Sequence, residues 1–114
     1  MRNTRRTYAL DITLQTLPAL KRVIDRIARD DRHLADQLRR AATSIALNLS
    51  EADGNERGHR RNRLQSAMGS LRETRTALQI AVAFGYVSTE TVQPIDRQLD
   101  QVAAMTWRRL HPIR

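Results

Sequence analysis

Four arginines, Arg57, Arg60, Arg61 and Arg63, fall within one short stretch, with Glu56 as its single acid. A guanidinium stays charged at any ordinary pH and presents planar N–H donors that match phosphate oxygens. Two further segments carry arginine and no acid. Met1–Tyr8 has Arg2, Arg5 and Arg6, and Trp107–Arg114 has Arg108, Arg109 and Arg114. Each of the three segments carries +3, against a formal net charge of +8 for the whole chain. The remainder is therefore −1. Arginine supplies 19 of the 20 basic residues, so content alone could reflect solubility or codon usage. Clustering is the stronger signal, and it suits a polyanion partner. The candidate contacts are Arg57, Arg60, Arg61 and Arg63, joined by Arg5, Arg6, Arg108 and Arg109. Trp107 beside Arg108 and Arg109 could stack a base. The competing role for that ring is core or interface packing.

Other chemistry is sparse. Glu56-x-x-His59 has the spacing of a di-iron bundle, and Asp30-x-x-His33 nearly so. A di-iron site needs two such pairs facing inward plus two more glutamates in the core. Here no Glu lies on an apolar stripe, so these residues read as solvated helix starts and no metal is expected. There is no cysteine, hence no disulfide, thiol nucleophile or zinc–thiolate site. No spacing of Ser, His and Asp suggests a triad. Gly54 and Gly58 read as loop punctuation, not a phosphate cradle. No catalytic residue, cofactor or enzymatic activity is expected. Asn48 and Glu51 border an apolar face, either lining a groove or setting register between helices or subunits, with Glu51 pairing a nearby arginine. Asp36 stands four residues before Arg40, the order that favours an ion pair on a helix; Arg39 and Arg40 are read as structural. Gly69-Ser70 sits mid-helix, where Gly costs about 1 kcal/mol against Ala, and predicts a close helix approach.

These residues must be positioned by helices. Aromatics make up only 4% of the 114 residues, and the abundance of Leu, Ala, Arg and Gln favours helix over sheet. Apolar residues recur every three or four positions in four stretches. The first runs Leu10, Leu14, Leu17, Leu20, Ile24, Ile27. Pro18 interrupts it: either Thr16 caps a helix starting there, or an earlier turn is kinked. Asp30 or Asp31 offers an N-cap for the second stretch, Leu34, Leu38, Ala41, Ile45, Leu49, Ala52. Asp53-Gly54-Asn55 supplies turn and C-cap chemistry. The third runs Leu64, Ala67, Met68, Leu71, Leu78, Ala81, Val82 and is apolar nearly all round at its end; Gly85 stops it. Ser88 caps the fourth, Val92, Ile95, Leu99, Val102, Met105 or Thr106, Leu110.

The expected fold is all-α, an up-down-up-down antiparallel four-helix bundle. It forms one domain over residues 1–114, with basic tails at 1–8 and 111–114 expected to be flexible. That topology brings the start of helix 1, the 2–3 loop and the end of helix 4 to one end. The three +3 segments therefore meet there. The N-terminus lacks the apolar core of a signal peptide, and no apolar run approaches a membrane span. The expectation is a cytoplasmic protein without membrane contact.

Helices 2 and 3 carry a further pattern. Gln37-Leu38-Arg39-Arg40-Ala41-Ala42-Thr43-Ser44-Ile45-Ala46-Leu47-Asn48-Leu49-Ser50-Glu51, then Ala67-Met68-Gly69-Ser70-Leu71-Arg72-Glu73, then Phe84-Gly85-Tyr86-Val87, occur in order. They resemble the motifs of the bacterial four-helix-bundle family known as 23S rRNA intervening-sequence proteins. The match spans about Tyr8–Leu110. Departures are Arg29-Asp30-Asp31-Arg32, where that family has Phe-Pro, and a missing aromatic in helix 1. The resemblance implies a helical bundle assembled as a homopentamer. It also implies kinship with the accessory proteins of diversity-generating retroelements, basic pentamers that engage nucleic acid and a reverse transcriptase. The expectation is a non-enzymatic, oligomeric bundle that binds RNA or DNA phosphates. The alternative is an adaptor that scaffolds a protein partner such as a reverse transcriptase, without touching nucleic acid.

Overall fold

The computed structural model describes residues 7–54 and 57–113, apart from the Arg57 side chain. Four helices account for the regular structure of the described residues: α1 Tyr8–Ala28, α2 Arg32–Gly54, α3 Arg57–Ala83 and α4 Thr89–Leu110. Each packs on its neighbour in sequence, and α1 closes the ring against α4. The result is the antiparallel four-helix bundle that the spacing predicts, 45 × 30 × 20 Å in extent. No helix among the described residues is long and apolar enough to cross a membrane.

Capping fixes most of the helix ends. The Thr7 hydroxyl accepts the Leu10 N–H at 3.2 Å and starts α1. Asp31 Oδ1 accepts the Leu34 N–H at 2.9 Å and starts α2. Ser88 Oγ accepts the Thr91 N–H at 3.1 Å and starts α4. α3 ends in a Schellman motif: Gly85 takes φ +79°, with Tyr86 N–H bonded to Ala81 O and Gly85 N–H to Val82 O, both at 2.9 Å. A positive φ suits Gly because it has no Cβ. Tyr86 then reaches back, its hydroxyl donating to Asp31 Oδ2 at 3.1 Å, so the two turns at this end are tied together.

Three expectations need correction here. α1 runs unbroken through Pro18, so Thr16 caps nothing. It is buried, and its hydroxyl donates to Ile12 O at 2.8 Å. The bond Pro18 cannot make is to the Leu14 carbonyl. Both residues lie on the exposed side of the helix, where water can take that carbonyl. Gly54 is not a left-handed cap, since among the described residues only Gly85 has positive φ. Last, the arginines expected in a loop belong to the first two turns of α3. They carry no apolar stripe, so periodicity points to Leu64 as the start. Arginine is a good helix former, however, and a packed helix extends into such residues.

The core is a column of Leu20, Ile27, Leu38, Ile45, Leu49, Leu71, Leu78, Leu99 and Val102, all essentially sealed from water. Four threonines are buried with them: Thr13, Thr16, Thr74 and Thr106. Each satisfies its hydroxyl on the carbonyl one turn earlier, at 2.7–2.8 Å, so none of the four buried hydroxyls is left unpaired. Arg75 clamps α3 to α4. Its Nε and Nη2 grip Asp96 at 2.8 and 3.1 Å, and Nη1 reaches Asp100 at 3.2 Å. The bond to Asp96 raises the Arg75 pKa further.

Candidate nucleic-acid interface

The antiparallel order places the start of α1, the α2–α3 turn and the end of α4 together, and side-chain contacts join them. At the centre is Asp53, whose side chain is only 3% exposed. Its Oδ2 accepts the Thr7 N–H at 3.0 Å. Its Oδ1 lies 3.1 Å from Arg109 Nη1. That contact is an ion pair by distance, without the alignment of a hydrogen bond. Arg61 Nη1 donates to the Leu110 carbonyl at 3.0 Å, closing one of the orphan groups at the α4 C-terminus. Arg63 lies 3.6 Å from Glu51 and 3.4 Å from the Asn48 oxygen.

The eight predicted contact residues thus divide. Arg109 is largely committed to Asp53. Arg61 and Arg63 spend a donor on neighbouring helices while remaining at the surface. Arg60 and Arg108 are exposed. Arg5, Arg6 and the Arg57 side chain lie outside the described residues. Three carboxylates, Asp11, Glu51 and Asp53, share this end with Arg60, Arg61, Arg63, Arg108 and Arg109, so among the described residues it stays basic. Its arginines also crowd the positive pole of the α3 dipole, with no acid in the first turn. Both effects favour an anion.

Trp107 is 51% exposed, so it is not a core residue. His111 stacks on it with ring centroids 4.1 Å apart and planes 20° apart. The His111 Nδ1 lies 3.0 Å from the Trp107 carbonyl, which steadies the pair. Tyr8, next to the Thr7 cap, is a second exposed ring at this end.

Farther up the α2–α3 face, Asn48 donates to Ser44 O and Ser44 Oγ at 2.9 and 3.0 Å. Ser70 Oγ reaches Ser44 Oγ at 2.8 Å. Asn48 and Glu51 therefore do both things foreseen for them: they bridge helices, and they line an open groove with Arg39, Arg40 and Arg63. Asp36 and Arg40 form no ion pair, and Arg40 is among the residues that line that groove. Gly69 is also corrected. A Cβ built there meets nothing within 4 Å, so no close approach within the subunit requires glycine. Among the described residues no three His or carboxylate side chains gather as a metal site; Glu56 of the Glu56/His59 pair lies outside them.

Fold and site together define a four-helix bundle with a basic end. The model of one family, 23S rRNA-intervening sequence protein, matches residues 14–108. The chain belongs to that family. Among solved structures it is similar to a protein of unknown function from the S23 ribosomal protein family of Bacteroides thetaiotaomicron. The two share 19% identity and a TM-score of 0.82, over 90% of this chain and 98% of that one. At that identity the likeness concerns the fold alone. No curated protein matches this sequence.

Proposed function

We propose that this protein is a non-enzymatic, oligomeric bundle that holds RNA or DNA by its phosphates at the basic end. One observation supports the reading: the start of α1, the arginine-bearing start of α3 and the arginine-bearing end of α4 meet where Asp53 ties Thr7 to Arg109. Anchoring of Arg61 and Arg109 orders the surface around the exposed Arg60 and Arg108. A scaffold that holds charges in place lowers the entropy cost of gripping a polyanion.

The test is binding as a function of salt. Affinity should be high at low salt, weakly sequence-selective, and lower by orders of magnitude between about 50 and 200 mM salt. Changing Arg57 and Arg108 to Gln spares the internal bonds of Arg61, Arg63 and Arg109. For every phosphate that is no longer neutralised, the log–log slope should shrink by about 0.7–0.9. A parent protein that binds neither RNA nor DNA at low salt sinks the reading. The adaptor role then takes its place, favoured by apolar side chains left in solvent, Leu47 at 61% along the α2–α3 groove and Phe84 at 65% at the opposite end of the bundle.

A further inference from the structure

We propose that the basic end engages its polyanion as a single strand, with the Trp107–His111 stack as the platform for an unpaired base and Arg108 on the adjoining phosphate. This rests on the nucleic-acid reading above and narrows it. Phosphate contacts alone do not distinguish strands from duplexes, because both offer backbone charge. An exposed aromatic face does distinguish them. Bases in a duplex are stacked on each other, whereas those of a single strand are free to stack on a protein ring.

The geometry suits that task. Trp107 shares a flank of α4 with Asp96, Asp100 and Ala103, at spacings of three and four. Asp96 and Asp100 turn toward α3 through Arg75, and Arg61 reaches from α3 to the Leu110 carbonyl beyond them. Trp107 therefore stands on the α3-facing side of the α4 terminus, with Arg61 from α3 meeting the same terminus. His111 stacks over one face of the indole, while half of the residue remains open to solvent. Arg108 is exposed in the next position. Here its surroundings are cationic, with Arg61 and Arg108 at the same helix end. A strand bearing phosphates meets opposite charge and brings flat apolar rings of its own.

Trp107 is the chain's one tryptophan, so its fluorescence reports on this site directly. Oligothymidylate and oligouridylate should quench it on binding, and a duplex of equal length should not. In anisotropy titrations of labelled strands at low salt, the parent should bind single strands more tightly than duplex. Trp107→Ala should weaken single-strand binding about 5- to 150-fold, the range for one stacked base. Duplex binding and the salt slope should stay as in the parent, and Trp107→Phe should recover part of the loss. Helicity and melting temperature check that both variants fold.

If Trp107→Ala binds single strands as the parent does, or loses duplex affinity equally, the platform is overturned while the basic end stands. If Trp107→Ala changes the mass of the assembly and leaves binding intact, the ring belongs to a contact between copies and the platform is again overturned. If the parent binds neither form, the broader reading has failed first.

Discussion

Asp53 shows how one residue organises an end of the molecule. It lies in the last turn of α2 and, through its two oxygens, holds the backbone at the start of α1 and a side chain at the end of α4. Asp53→Asn keeps the volume and an acceptor for the Thr7 N–H but leaves Arg109 without its counter-charge. Breaking a buried pair is costly, yet Arg109 retains 26% exposure and water recovers part of the loss. The expected destabilisation is about 2–4 kcal/mol, read from urea unfolding. A change of a few tenths would mean that the carboxylate contributes packing only. The sequence shows Asp53 as a turn residue beside Gly54 and Asn55. Its true partners lie 46 and 56 positions away, and no local pattern encodes such a pairing. The one available signal is an acid in the turn where three basic segments must converge. Trp107 is similar: its type and neighbours are visible in the sequence, but its exposure is not, because position 107 is one step from the buried Thr106.

At the scale of elements, periodicity and capping rules identified all four helices and most of their ends. Asp31, Ser88 and Gly85 act as their residue types dictate. The failures share a cause. Pro18 carries a local signal against helix and the Arg57–Arg63 stretch lacks an apolar stripe, and tertiary packing overrides both. The far turns supply a pH test. Partial burial, the bond to Asp31 and the charges of Asp31 and Asp30 hold the Tyr86 phenol above its ordinary pKa. The native state then keeps its proton where the unfolded chain has lost it. This contribution is present below the ordinary tyrosine value of about 10 and is lost as pH rises through the higher folded value. Stability should therefore fall in that alkaline window, and Tyr86→Phe should remove this part of the fall. Denaturant midpoints across the window give the comparison; parallel curves for parent and variant would assign the loss to other groups.

At the scale of the whole molecule, Leu47, Ile80 and Phe84 leave apolar area uncovered in the single chain, and Gly69 leaves a flat spot on α3. We propose that copies of this chain cover these features, and the family resemblance supplies a pentamer as the expected number. Light scattering should give about five times the 13.1 kDa chain mass; a monomer at micromolar concentration rules the assembly out. Gly69→Ala sharpens the test. In an isolated chain an exposed helical Gly→Ala stabilises by about 0.5–1 kcal/mol. Against a tightly apposed copy the added methyl should instead lower the assembled mass.

Because Thr7 and Arg109 both touch Asp53, the polypeptide enters and leaves the bundle at neighbouring points. Joining the ends and reopening the chain between α1 and α2 should preserve every helix, as circular permutation tolerates cuts in exposed turns. The same adjacency bears on anything attached to the protein. A fusion domain or purification tag at either terminus emerges beside Arg108 and Trp107 and can shade that surface. A carrier inserted at the Gly85 turn would instead hang from the opposite pole, leaving the arginine-rich face open to whatever docks there.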